Sequence, residues 1–179
     1  MPIFPYLAGG DLQYISQTVL SADSPTISIA NIPDNYTNLV VLTKFRDNEA
    51  VYVRDVYLRF NDDSTRSYHT TYLFARAGAL SCSEILGATY AYGGSTPGNN
   101  AFANAWGNGI LYLHFYADTA ILKQGQLWLP SFYRDTAAQN FFIESAFVWK
   151  KTNAINKLTY FLTAGTLYAG STIKLYGIV

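Results

Sequence analysis

The side chains able to carry acid–base, nucleophilic or metal chemistry are sparse in this sequence: two histidines, His69 and His114, one cysteine, Cys82, and three glutamates, Glu49, Glu84 and Glu144. A metal centre needs several His, Cys or carboxylate ligands close in space. Neither histidine stands in an HxH, HExxH or HxxE spacing. His69, in SYHTTY, has hydroxyl neighbours and no adjacent acid. His114, in ILYLHFYAD, has Asp118 four residues on, which an extended strand carries more than ~10 Å away. Both read as hydrogen-bonded histidines on a sheet face. No motif ties Cys82 to a histidine, so it reads as a small buried apolar residue rather than a nucleophile.

Glycoside hydrolysis needs two carboxylates flanking a cleft. Most aspartates (Asp34, Asp47, Asp62, Asp63, Asp118, Asp135) fall in turn segments, where such side chains bond their own backbone. Asn61-Asp62-Asp63 offers oxygens to a calcium ion but lacks the spaced ladder of a dedicated calcium loop. GGSTPGNN (93–100) has glycines without a lysine or a following helix, so it is no phosphate cradle, and it reads as a loop. No GxSxG occurs. The expectation is a protein that is not an enzyme and needs no cofactor.

Charge narrows the partners. Twelve basic and twelve acidic residues cancel, and they are scattered singly. Arginines between aromatics in YVRDVYLRF could accompany stacked bases, but Asp47, Glu49 and Asp55 interrupt the positive field, so no nucleic acid is expected. The opening MPIFPYLAGG lacks a basic n-region and holds two prolines, unlike a signal peptide. No apolar run approaches the ~20 residues of a membrane helix. These features predict a soluble chain made in the cytoplasm, with no membrane partner. Charged residues make up 13% of the chain and aromatics 16%, against about 25% charged in ordinary domains. Tyrosine favours strands and is enriched at interfaces, so a β-rich protein with much of its surface covered in an assembly is expected.

The elements that must position these residues are short alternating runs closed by turn chemistry. They are TISIANI (26–32), NLVVLTKFR (38–46), AVYVRDVYLRFN (50–61), LGATYAY (86–92), ILYLHFYAD (110–118), QLWLPSFYR (126–134), NFFIESAFVW (140–149), KLTYFLTA (157–164) and STIKLYGIV (171–179). SYHTTYLFARA (67–77) fits a strand or a short helix. The phase change at Arg54-Asp55 predicts a bulge or a break. No sustained helical period appears. The pattern predicts an all-β antiparallel sandwich of about 8–10 strands, jelly-roll-like, over residues 13–179. Residues 1–12 form a Pro-stiffened arm with a Gly9-Gly10 hinge, and Ile3, Phe4 and Tyr6 are its contact candidates, on its own sandwich or on a neighbour.

In ILYLHFYAD, alternation puts Leu111, Leu113 and Phe115 on a core face and Tyr112, His114 and Tyr116 on the other. Tyr57 with Arg59, and Trp128 with Gln126, also fall on outward phases. Tyrosine, tryptophan and arginine dominate interface hot spots and also make sugar platforms. An assembly subunit and a glycan-binding module are therefore the two non-enzymatic readings.

Four segments in order carry a resemblance: TISIANIPDNYTNLVVL, VYLRFNDDSTRSYH, ILYLHFYADTAILKQ and LYAGSTIKLYGIV. Within them stand an IP-x-x-Y-x-x-L segment (Ile32, Pro33, Tyr36, Leu39), a YLRFN-D turn (Tyr57 to Asp62) and a closing strand from Ala169 to Ile178. Over about residues 26–179 the chain resembles small virion structural proteins of tailed bacteriophages. The resemblance implies a jelly-roll subunit on the capsid exterior, a decoration or cement protein, homotrimeric and bound to the major capsid protein. The alternative it implies is a tail-fibre or tail-tip receptor-binding or glycan-binding module. The NDD turn lacks the glycine common at that place. On physical grounds, Pro33 turns the chain out of its strand, Tyr36 anchors the next strand, and Gly177 leaves room for a neighbouring ring or backbone.

Overall fold

Alternation buries only one face of each strand, so the apolar rows of this chain need a second sheet to cover them. The structure, a computed structural model, describes residues 11–76, 79–131 and 141–179. Among these are twelve strands and no helix: β1 (Leu12–Val19), β2 (Thr26–Ala30), β3 (Asn38–Phe45), β4 (Val53–Phe60), β5 (Tyr68–Arg76), β6 (Ala79–Ala88), β7 (Ala91–Pro97), β8 (Gly107–His114), β9 (Lys123–Ser131), β10 (Phe141–Trp149), β11 (Lys157–Phe161) and β12 (Thr172–Ile178). They form an eight-stranded sheet, β1-β12-β3-β8-β9-β10-β5-β6, and a four-stranded sheet, β2-β11-β4-β7. All pairings are antiparallel. The chain is an antiparallel β-sandwich of jelly-roll type.

The core lies between the sheets. Leu39, Val41, Leu111, Leu113, Ile173 and Leu175 of the larger sheet meet Ile27, Val56, Leu58, Phe60, Leu158 and Tyr160 of the smaller. Twelve strands exceed the 8–10 expected, for two reasons. LQYISQTV is a strand, although its apolar residues are mostly exposed. The stretch read as the loop GGSTPGNN is largely β7, every residue of which is buried. Small side chains are what allow this. A Cβ on Gly94, which sits at φ 93°, would come within 2.6 Å of Leu129 Cδ1. Glycine here lets a strand slide beneath the large sheet instead of ending it. Residues 68–76 of SYHTTYLFARA are the strand β5, and the phase change in β4 is a bulge opposite β7 between Asp55 and Tyr57. The arm residues Ile3, Phe4 and Tyr6 lie outside the described residues.

Candidate functional site

Strand β8 sits near the middle of the large sheet, paired to β3 and β9. Its inward side chains, Leu111 and Leu113, are fully packed, and Tyr112 and His114 point outward with ring centroids 4.5 Å apart. The alternation stops there. Phe115 adopts φ 43°, so the chain changes phase after His114. Two expectations fall with it. Tyr116 is 0% exposed and donates its hydroxyl to the Pro33 carbonyl, whereas Phe115, expected in the core, is 51% exposed. A left-handed residue at the strand end moved Tyr116 from the outer face into the core.

The register extends the outward face far beyond β8. One row runs Tyr14–Tyr176–Val40–Tyr112 from the β1 edge and continues as Gln126–Ala146–Thr71–Glu84 to the β6 edge. The row beside it sets Trp128 between Ile110 and Glu144. Tyr14, 60% exposed, packs edge-on against Tyr176 at 5.8 Å. Trp128 therefore lies on the face predicted for it, and its indole N–H donates to Glu144 Oε1 at 3.1 Å. Lys174, Glu144 and Glu84 are the charged side chains in these two rows, and Lys44 stands in the next row beside Asn108, so the face is large and weakly charged. Burial holds the Tyr112 phenol above its ordinary pKa and the His114 imidazole below its own.

His69 and His114 occupy one row, separated by Val148 and Gln124. Three strand spacings put them roughly 14 Å apart, too far to share an ion. No group of three or more His, Cys, Asp or Glu among the described residues could hold a metal. The face carries a shallow recess of about 190 Å³ over β5, β9 and β10, lined by residues that include Thr71, Leu73, Gln126, Glu144 and Ala146.

Tyr57 and Arg59 do not join this face. They belong to β4, in the smaller sheet, and are half-buried. Tyr57 packs on Tyr90 at 4.3 Å and Phe161 at 5.7 Å, and burial together with the Asp55 charge pushes its phenol up to about 12. Arg59 donates Nε to the Thr89 carbonyl at 3.0 Å and lies 4.5 Å over the Phe161 ring. The alternation turned both away from the main core, although Tyr57 packs beside a second buried cluster of Tyr92, Leu129 and Ile143, and it cannot say which of two sheets a strand joins.

The oxygens of Asn61-Asp62-Asp63 are taken by the protein itself. Asn61 and Asp62 both adopt left-handed backbone, at φ 51° and 56°, a role that Asn and Asp fill where glycine is missing. Asn61 Oδ1 accepts from the Asn156 and Lys157 amides at 2.9 and 3.1 Å, and Asp62 pairs with Lys157 Nζ at 2.7 Å. Burial pushes the Asp63 carboxyl up, but hydrogen bonds from Thr65, Trp149 and Ser67 prevail and bring it to about 2. Trp149 Nε1 donates to Asp63 Oδ2 at 2.6 Å. This is a structural knot rather than an ion site.

Three further placements were not legible. Cys82, read as buried, is exposed on β6, because that strand has a neighbour on one side only. Lys123 is fully buried, with its ammonium donating to the Asp118 carbonyl and, at 3.1 Å, to that of Ile121. In the RDNEA turn, Asp47 is buried and takes Arg54 Nε at 3.0 Å, while Arg46 donates to the Phe102 and Ala105 carbonyls at 2.9 and 2.6 Å. The outward residues Tyr14, Tyr176 and Val40 were also missed, although alternation alone places Tyr176 and Val40 on the phase opposite their buried neighbours.

Fold and face together define a class: an antiparallel β-sandwich with one long, open, Tyr-rich sheet face. No protein-family model matches the chain, and no curated protein matches it. Among solved structures it is similar to exo-inulinase from Aspergillus awamori, at 10% identity and TM-score 0.43, covering 95% of this chain and 30% of that one. It is similar to the galectin LEC-6 of Caenorhabditis elegans, at 11% identity and TM-score 0.34, covering 91% and 95%. A third is the CBM40 of Ruminococcus gnavus IT-sialidase bound to alpha2,6 sialyllactose, at 9% identity and TM-score 0.38, covering 93% and 94%. At these values the likeness carries no argument about this chain.

Proposed function

We propose that this chain is a non-enzymatic structural protein of a bacteriophage particle, a decoration protein on the capsid exterior. It binds the major capsid protein and stabilises the shell by burying surface between neighbouring subunits. The observation that carries the reading is the outer face of the eight-stranded sheet. Seven strand spacings by six residues make it roughly 34 Å by 20 Å, close to the ~800 Å² that one partner contributes to a standard interface. Its rows are aromatic and aliphatic with few charges, and tyrosine adds large apolar area at low entropy cost while keeping a hydroxyl for bonding. The order of the IP-x-x-Y, FNDD and LYGI motifs supports the same reading.

The test is the copy number of this protein relative to the major shell protein, by quantitative mass spectrometry of purified particles. A number comparable with the shell protein is expected. A few copies per particle would move the protein to the tail, and absence would sink the virion reading. Tyr112→Ser with Tyr176→Ser is expected to lower incorporation of a folded protein.

One observation favours a second reading, a receptor- or glycan-binding module of the tail. The recess beside Trp128 has a small floor, Ala146, and a rim of hydroxyl, amide and carboxylate groups from Thr71, Gln126 and Glu144. Such a rim suits the hydroxyls of a sugar. Binding to a glycan array that is lost in Gln126→Ala, with and without calcium, would select this reading over the first.

A further inference from the structure

We infer that the free edge of β6 is a self-association site, at which a second copy of this chain pairs antiparallel about a two-fold axis through Cys82. Among the described residues, β6 ends the eight-stranded sheet and pairs with β5 alone, so half of its backbone N–H and C=O groups face outward without a partner strand there. Both faces of the strand are open as well: Ala79, Leu80, Ser81 and Cys82 are exposed in succession, Leu80 at 71%.

The other sheet edges are blunted. β1 carries a register shift between Tyr14 and Ser16, β2 is five residues long, and β7 is buried throughout. Over residues 79–85 the β6 edge lacks such defences, its own register shift lying beyond Ile85. ALSCSEI (79–85) contains no proline, lysine or arginine, and Glu84 is its one charged residue.

The occupant follows from the register. β6 pairs regularly with β5 from Ala79↔Arg76 to Ile85↔Thr70, and the ladder shifts only beyond Ile85, where Gly87 adopts φ 61°. Seven regular residues have one centre, Cys82. A two-fold pairing that uses all seven sets Cys82 opposite the partner's Cys82 and Ser81 opposite the partner's Ser83. Ala79 then faces the partner's Ile85, and Glu84 lies across the methyls of the partner's Leu80. The two Glu84 carboxylates stay four residues apart, roughly 13 Å, so no like charges meet. Moving the axis to Ser83 would place the bulged Leu86–Gly87 stretch in the ladder. The edge is thus complementary to itself in hydrogen bonds, register and charge.

This pairing does not depend on the decoration reading. It predicts a two-fold dimer, where the sequence resemblance implies a trimer. Residues directly opposite in an antiparallel ladder have Cα atoms about 4.5 or 5.5 Å apart, inside the roughly 4.4–6.8 Å that a disulfide spans. The native thiol therefore serves as a ruler, with no claim that the bond forms in the cell.

The experiment uses the full chain. Analytical ultracentrifugation under reducing conditions is expected to give twice the monomer mass for the native protein and for Cys82→Ser. Mild copper–phenanthroline oxidation is expected to convert the native dimer to a covalent one, and Cys82→Ser not at all. Leu80→Cys in the Cys82→Ser background is the control: its thiol is highly exposed but sits roughly 13 Å from its own copy in this register, so at least tenfold slower crosslinking is expected. Cys82→Lys, which sets two ammonium groups face to face, is expected to return a monomer with unchanged circular dichroism. A reduced monomer or trimer, or crosslinking through position 80 as fast as through 82, would overturn the proposal.

Discussion

The ring of Tyr36 lies against the backbone of Gly177, on the spot where any other residue would carry its Cβ. Tyr36 belongs to the turn before β3 and Gly177 to β12, and the two strands pair from Ile178↔Asn38 to Thr172↔Lys44. Two motifs 141 positions apart, IP-x-x-Y and LYGI, are therefore one contact in space.

Gly177→Ala drives a methyl into that ring. A loss of about 1–3 kcal/mol is expected, the ordinary cost of overpacking a filled site. Tyr36→Ala removes the obstacle, so the double variant should be less destabilised than the two single losses summed. Urea unfolding of all four proteins measures the coupling, and strict additivity would mean the two residues do not constrain each other.

Tyr112 and Tyr116 are four residues apart but have opposite fates. Tyr116→Ser empties a fully buried site and is expected to cost about 3–5 kcal/mol. Tyr116→Phe, which loses only the bond to the Pro33 carbonyl, should cost about 1 kcal/mol. Tyr112→Ser should leave the melting temperature nearly unchanged and act on docking alone. Thermal melts of the three variants separate core from face.

Lys123→Met keeps the length of the side chain and removes its ammonium from the Asp118 and Ile121 carbonyls. About 1–3 kcal/mol of stability should be lost, because both carbonyls lose a charged donor. Hydrogen exchange should speed up in the 118–122 turn first. Unchanged exchange there would mean the ammonium does not hold the turn.

Two windows of pH dependence follow from the titrating groups. The imidazole of His114 has a pKa held below its ordinary value near 6.5, so the unfolded chain takes the proton first. Its contribution is complete above about pH 6.5 and declines as the pH falls below that. His114→Gln should flatten this part of the profile. Asp63 has a pKa depressed to about 2, so its contribution is present above about pH 4 and is lost as the pH falls towards 2. Trp149, bonded to that carboxylate, should change its fluorescence over the lower window, and Asp63→Asn should abolish the change.

The sandwich, its alternating rows, the outward phase of Tyr112 and Trp128, and the space reserved at Gly177 were all legible in the residues. Each depends on a strand's two-residue period or on the size of one side chain, and both are local properties. Phe115 was not legible, because a single left-handed residue shifts the phase of all that follows, and phenylalanine has no propensity that announces it. The buried strand AYGGSTP was also hidden: glycines that usually mark a turn here thin a strand so that it fits beneath Leu129.

By itself, then, the sequence determined which residues alternate, where turns interrupt them, and that reactive groups are few and scattered. Tertiary structure alone decided which strands become neighbours. That choice aligned Tyr14, Tyr176 and Tyr112 in one row, sent Tyr57 and Arg59 to the other sheet, and left β6 and Cys82 at an open edge. Strand order is set by long-range pairing between segments up to the whole chain length apart, and the local period that writes a strand carries no record of its partner.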